Sequence, residues 1–335
     1  MTIIYAILMF CVLIFVHELG HFLAAKACGV KVNKFALGMG PAFFKKQKGE
    51  TEYSLRIFPI GGFCAMEGED EESGDDRAFN NKPAWKKTII VIAGSLMNVL
   101  LAIILITIVV YSVGTATTTI GGFVEGSPAA EAGLRQGDKI VKIGQTSIDQ
   151  WTDVAKAIAA SDKESIDLTL MRDGKEIALT SPLMEQEGRT MIGISPQMEK
   201  SIGGALVNGP KATWEMTKNM YSVLKQLFTG QVSTKELTGP VGIVYMVNET
   251  SKAGAMSFLY LMALISLNLG IVNMLPLPAL DGGRLLFIII RKFTGKAITD
   301  EMEGKIQMFG MLLLFALMIY VTWNDIWRFI VPIFQ

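Results

Sequence analysis

Four stretches of this chain carry no charged residue: near 2–16, 88–113, 253–280 and 306–324. A helix needs about 20 residues to cross a hydrocarbon core. The last three runs meet that length alone. The first meets it once the turn that follows, residues 17–21, is counted as its inner end. Half of the 335 residues are hydrophobic and mean hydropathy is +0.39, so the apolar residues are concentrated rather than spread. Inside lipid every backbone polar group must be satisfied within the structure, which a continuous apolar run achieves as a helix. The expected fold class is therefore a multi-pass α-helical membrane protein with about four transmembrane helices, and the lipid bilayer is its first partner. Thirty-one basic residues balance 31 acidic ones. With no net charge and no basic patch, no nucleic-acid partner is expected.

The first run ends in His17-Glu18-Leu19-Gly20-His21, an H-E-x-x-H pattern that uses both histidines of the sequence. On a helix, positions i and i+4 differ by roughly 40°, so the two imidazoles share a face with Glu18 beside them. That spacing suits two zinc ligands and a general base. The bland alternative is a chance pattern whose histidines merely pack. It must then explain three costly polar groups in an apolar span. A catalytic zinc takes three protein ligands, and Asp281 is the best remaining candidate. It follows Pro276 and Pro278, which break the third run, and precedes Gly282-Gly283. Its alternative role is to cap the next helix. Asn273 is either an interhelical hydrogen-bonding group or a group that holds a substrate backbone. The cysteines, Cys11, Cys28 and Cys64, are odd in number and dispersed, which does not describe a disulfide framework. No basic segment precedes the first run, so it reads as a retained span rather than a cleaved signal.

The expected division is 1–28, first span with the motif; 29–87, a cytoplasmic, membrane-associated β-hairpin or sheet region with an acidic loop; 88–114, second span; 115–199, an extracytoplasmic soluble domain; 200–252, an amphipathic linker; 253–283, third span; and 284–335, a cytoplasmic loop and the fourth span. Residues 50–57 alternate with period two, as a strand does. Glycines flank it in Gly38-Met39-Gly40-Pro41 and Pro59-Ile60-Gly61-Gly62-Phe63. The region is an amphipathic sheet at the membrane surface, an exposed strand edge near the metal that pairs with an extended substrate, or both. The acidic run 67–77, with Asp70, Glu71 and Glu72, reads as a solvated loop. Gly94, Ser95 and Asn98 in the second run are expected to face the bundle interior. The soluble domain carries Ala132-Gly133-Leu134-Arg135-Gln136-Gly137-Asp138-Lys139-Ile140, a helix over 153–160 and a hairpin signal at Arg172-Asp173-Gly174-Lys175. That order resembles an α+β PDZ domain, which either reads a peptide or blocks access to the membrane site. In the linker, Trp214, Met220, Tyr221, Leu224 and Phe228 recur at helical spacing, for the membrane interface or for the soluble domain. Lysines cluster after the first span, and Arg284, Arg291, Lys292 and Lys296 follow the third. The positive-inside tendency makes both loops cytoplasmic.

Taken together, H-E-L-G-H at 17–21, G-M-G at 38–40, P-I-G-G-F at 59–63, the single PDZ-like domain, T-G-P-V-G-I at 238–243 and N-M-L-P-L-P-A-L-D-G-G at 273–283 resemble the site-2 proteases. These are intramembrane zinc metalloproteases, and the likeness is to the bacterial regulator-of-sigma-E group. The resemblance implies Zn2+ on His17, His21 and Asp281, with Glu18 as base. It implies substrate contacts by Asn273, by Gly38, Met39 and Gly40, and by the strands at Gly61 and Gly62. It also implies a bacterial cell membrane, with the site toward the cytoplasmic side. The implied substrates are single-pass membrane proteins trimmed beforehand, such as anti-sigma factors, or remnant signal peptides.

Overall fold

The computed structural model of the chain describes residues 2–69, 73–159, 164–186, 189–231, 233, 237–294 and 299–333. Asp70, Glu71 and Glu72 of the acidic run, Ala160 at the expected helix end, and Lys296 lie outside the described residues. The chain divides into two compact units, Met1–Ile106 with Pro210–Gln335, and Thr107–Gly209.

Helix α1 (Thr2–Ala27) is apolar up to the His17-Glu18-Leu19-Gly20-His21 turn and carries Lys26 in its last turn. Gly29 ends it with a left-handed φ of 73°, while the amides of Cys28 and Val30 satisfy the carbonyls of Ala24 and Ala25. Strands β1 (Val32–Lys48) and β2 (Thr51–Met66) form one hairpin that folds back on itself. Lys34 to Leu37 align with Ala65 to Gly62 along one side and with Glu52 to Leu55 along the other. The hairpin therefore presents four strand segments, with 62–66 at one edge. Val30, Val32, Phe35, Cys64 and Met66 pack with Ala25, Phe79, Ile90 and Val91, which fastens that edge to α1 and to α2 (Ala84–Val113). At the far end of the hairpin Met39, Phe43, Phe44, Ile57 and Phe58 are exposed.

The loop after β2 is not merely solvated. Glu67 accepts hydrogen bonds from Ser73, Asn33 and Lys31, which lower its carboxyl to a pKa of about 2. Glu69 accepts from the Met66 amide and pairs with Arg284.

In the Thr107–Gly209 unit a sheet runs in the order β10-β3-β4-β6-β7. Its strands are β3 (Thr115–Phe123), β4 (Lys139–Ile143), β6 (Ser165–Arg172), β7 (Lys175–Pro182) and β10 (Ile194–Glu199). Short β5 (Thr146–Ser147) pairs with β4, and β8 (Met184–Gln186) with β9 (Arg189–Met191). Asp173 and Gly174 take φ of 50° and 76°, the two left-handed residues of a tight β6–β7 turn. Ile120, Ile140, Leu168, Leu170 and Ile192 form the core, closed by Val154 and Ile158 of α3 (Trp151–Ala159). The Asp138 carboxylate is 1% exposed. It receives Arg172 through Nε at 2.7 Å and Nη2 at 2.8 Å, and the Arg135 amide at 2.8 Å. Those bonds hold the carboxyl below its ordinary range, the Arg172 guanidinium first.

The chain returns through α4 (Ile202–Phe228), which contains Pro210. From Pro210 onward its apolar face packs on other helices. Met216, Met220 and Leu224 pack on Ala102, Leu267 and Ile271, so this face is covered by α2 and by α6 (Ala255–Asn273). Trp214 and Tyr221 stay exposed. Helix α5 (Pro240–Ala253) begins under the buried carboxylate of Asp325, which accepts from the amides of Gly239 at 3.2 Å and Gly242 at 2.8 Å. That is the structural use of T-G-P-V-G-I, since a Cβ at either glycine would crowd the carboxylate.

The third expected span, 253–283, is not one helix and breaks around Pro276 and Pro278. Helix α6 stops at Asn273, residues 274–280 turn irregularly, and α7 (Asp281–Thr294) starts at the acidic residue itself. Pro276 and Pro278 cannot continue a helix hydrogen-bond ladder. Gly282 and Gly283 let that turn lie over the first turn of α7, where a Cβ would overlap the Leu275 and Leu277 carbonyls. Helix α8 (Asp300–Asp325) follows, with a π-helical turn over Ile326–Ile330. Among the described residues four helices are long and apolar enough to cross a membrane: Thr2–Ala27, Ala84–Val113, Ala255–Asn273 and Glu301–Ile330.

Candidate metal centre

His17 and His21 sit one turn apart on the buried face of α1, at 8% and 9% exposure. Their Nε2 atoms are 3.2 Å apart. The Asp281 Oδ2 at the head of α7 lies 3.3 Å from His17 Nε2 and 3.5 Å from His21 Nε2. One ligand atom from each residue lies within 4.8 Å of the other two. Two imidazole nitrogens and a carboxylate oxygen are the donor types that catalytic zinc uses. The imidazoles are also oriented for it: His21 Nδ1 is 2.8 Å from the Ile90 carbonyl. A carbonyl only accepts, so Nδ1 carries the proton and the Nε2 lone pair faces the cluster. The residues present therefore fit a metal ion.

The cluster lies on the wall of a cavity of about 910 Å3, which Glu18 also lines. Phe63, Cys64, Ala65 and Met66 form another wall, and Glu69, Lys87, Arg284 and Gln307 line it as well. Gly62 passes so close to α1 that a Cβ there would stand 3.2 Å from Glu18 Cγ. Gly61 packs in the same way on the Met39 side chain. Asn273 ends α6 half-buried, and Gly38, Met39 and Gly40 lie along the hairpin. None of these four is among the residues lining the cavity. All three cysteines are free, and none belongs to the metal-ligand group.

Ser95 and Asn98, expected from the sequence to face the bundle interior, are buried at the centre itself. Ser95 Oγ donates to Asp281 Oδ2 at 3.4 Å, and Asn98 Nδ2 lies 3.3 Å from His17 Nδ1. Sequence marks them as polar groups in an apolar span but cannot name their partners.

Peptidase family M50 matches residues 5–317 of this chain. The chain belongs to that family, the site-2 proteases, and is a metalloendopeptidase. A candidate zinc metalloprotease of Clostridium acetobutylicum is 41% identical to it over 97% of each chain. The regulator of sigma-W protease RasP of Bacillus subtilis is 31% identical over 98% of each. Among solved structures, the PDZ domain of an SdrC-like protein from Listeria monocytogenes is similar at 18% identity and a TM-score of 0.22, covering 24% of this chain and 87% of that one.

Proposed function

We propose that this protein is an intramembrane zinc protease that cuts the transmembrane segments of single-pass membrane proteins already shortened by another protease. His17, His21 and Asp281 would hold the zinc, as the donor set and the names of the relatives both support. The carrying observation is the meeting of three ligand atoms, from a spanning helix and from the helix that follows another, on the wall of the cavity that Glu18 lines.

When bound, zinc supplies Lewis acidity that polarises the scissile carbonyl and lowers the pKa of the attacking water. Glu18 is the general base: it takes a proton from that water and returns it to the leaving amine as the C–N bond breaks. Polar residues at Glu69, Lys87, Arg284 and Gln307 give the cavity a wettable wall, and hydrolysis needs water. A helical substrate must unwind before its amides are accessible, and those amides then need partners. Segment 62–66 pairs on one side with β1, and among the described residues no strand pairs with its other side. That side would receive the unwound chain by strand addition, with Gly62 keeping the backbone close to Glu18. Asn273, Gly38, Met39 and Gly40 would hold flanking substrate residues rather than the bond being cut.

The name of the Bacillus subtilis relative, a regulator of sigma-W, supports an anti-sigma factor as the substrate class, with remnant signal peptides as the second class. The Thr107–Gly209 unit would serve as a PDZ-like domain outside the cytoplasm, while the lysine-rich hairpin and α7, with Arg284, Arg291 and Lys292, would face the cytoplasm. The test is cleavage of a purified single-pass substrate in proteoliposomes. Glu18→Gln should keep zinc and lose at least about 100-fold in rate. Wild-type cleavage by that variant would remove Glu18 from the mechanism.

A further inference from the structure

Helix α2 touches every residue in the cluster, His17 and His21 at Nδ1 and Asp281 at the same Oδ2 that faces the two imidazoles. The Ile90 carbonyl takes the His21 Nδ1 proton, Ser95 donates to Asp281, and Asn98 meets His17. Ile90, Ser95 and Asn98 are all buried. Gly94 completes this face, because a Cβ there would overlap the His21 ring. At Asn98 the partners do not match. Its side chain is 0% exposed, its amino nitrogen faces His17 Nδ1, and its Oδ1 is buried with no hydrogen-bond partner among the described residues.

That pairing suits an imidazole whose Nδ1 accepts, and such an imidazole carries its proton on Nε2. Nε2 is the atom aimed at His21 and Asp281, where a protonated nitrogen cannot bind a metal. A half-turn of the amide exchanges its two ends. Oδ1 then accepts from Nδ1–H, and the His17 Nε2 lone pair is free. One end of the amide lacks a partner in either orientation, so the demand of the imidazole decides between them.

We propose that Asn98 is a positioning residue for the metal: its carbonyl oxygen holds His17 in the tautomer that ligates through Nε2, and Ser95 fixes the Asp281 oxygen beside it. This rests on the reading of His17, His21 and Asp281 as the ligands. Partners of this kind are worth about 10- to 100-fold in metal affinity.

The experiment measures zinc affinity of the purified full chain by competition with a chelator, alongside thermal stability of the zinc-free protein. Asn98→Leu keeps the approximate volume and removes the acceptor. It should bind zinc about 10- to 100-fold more weakly, with zinc-free stability close to wild type, because loss of the Nδ2 contact to His17 is offset by removal of the unpartnered oxygen. Asn98→Asp keeps an acceptor and should restore affinity to within a few-fold of wild type. Ser95→Ala should show a smaller loss. Wild-type affinity in Asn98→Leu, or equal losses in the Leu and Asp variants, would overturn the proposal. A wild-type protein that binds no zinc would overturn the ligand assignment itself, a separate outcome.

Discussion

At Asp138 a single carboxylate carries a specific stability claim. It is buried against Arg172 and the Arg135 amide, so removing its charge leaves a guanidinium without its partner. Asp138→Asn should destabilise the Thr107–Gly209 unit by about 3 kcal/mol, read as faster amide hydrogen exchange in its strands. The same group sets a pH dependence. Its native pKa lies below the ordinary 3.8, so its contribution is complete above that value. It drains away as pH falls below about 4, through the lowered native value. Exchange protection that stays flat down to the acid limit would contradict this. Residues differ in how much of this the sequence discloses. His17, Glu18 and His21 are paired by helix periodicity alone, which is a local property. Asp281 emerges from counting ligands and from the broken helix before it. Asn98 and Ser95 are visible only as polar residues in lipid-length sequence, since their partners lie on other helices. Asp138 sits in a recognisable turn, yet Arg172, 34 residues later, is fixed only by the sheet.

Among the elements, α2 is the one on which the site depends most. Gly94→Ala pushes the His21 ring aside and should cut cleavage by about 100-fold, with reduced zinc content and little change in helix content by circular dichroism. The start of α5 gives a second element-scale prediction. Asp325→Ala strips two buried amides of their acceptor and should cost about 2 kcal/mol, measured by unfolding in mixed detergent micelles. The spans were legible because length and apolarity act within one stretch of chain. The hairpin was legible as strand, from the alternation at 50–57, but its double pairing was not. Lys34 to Leu37 have two sets of partners, a choice made by tertiary packing on Ala25, Ile90 and Val91. The face of α4 formed by Met216, Met220 and Leu224 was legible as apolar, whereas its cover by α2 and α6 depends on which neighbours arrive. The break after Asn273 was announced by two prolines, and the glycine pair at 282–283 explains how the chain returns to helix within a few residues.

For the whole molecule, largely apolar helices hold three polar side chains together on the wall of one cavity. An uncompensated imidazole or carboxylate there is expensive, so a bound cation is the natural occupant of a site built from two nitrogens and an oxygen. The central claim is the identity of that ion and of its ligands. Zinc X-ray absorption on the purified full-length protein tests it directly. The account predicts one zinc per chain, with nitrogen and oxygen neighbours at about 2.0–2.1 Å, an imidazole signature from two histidines and no sulfur neighbour near about 2.3 Å. Protein that binds no zinc, or a sulfur neighbour drawn from Cys28 or Cys64, would contradict it.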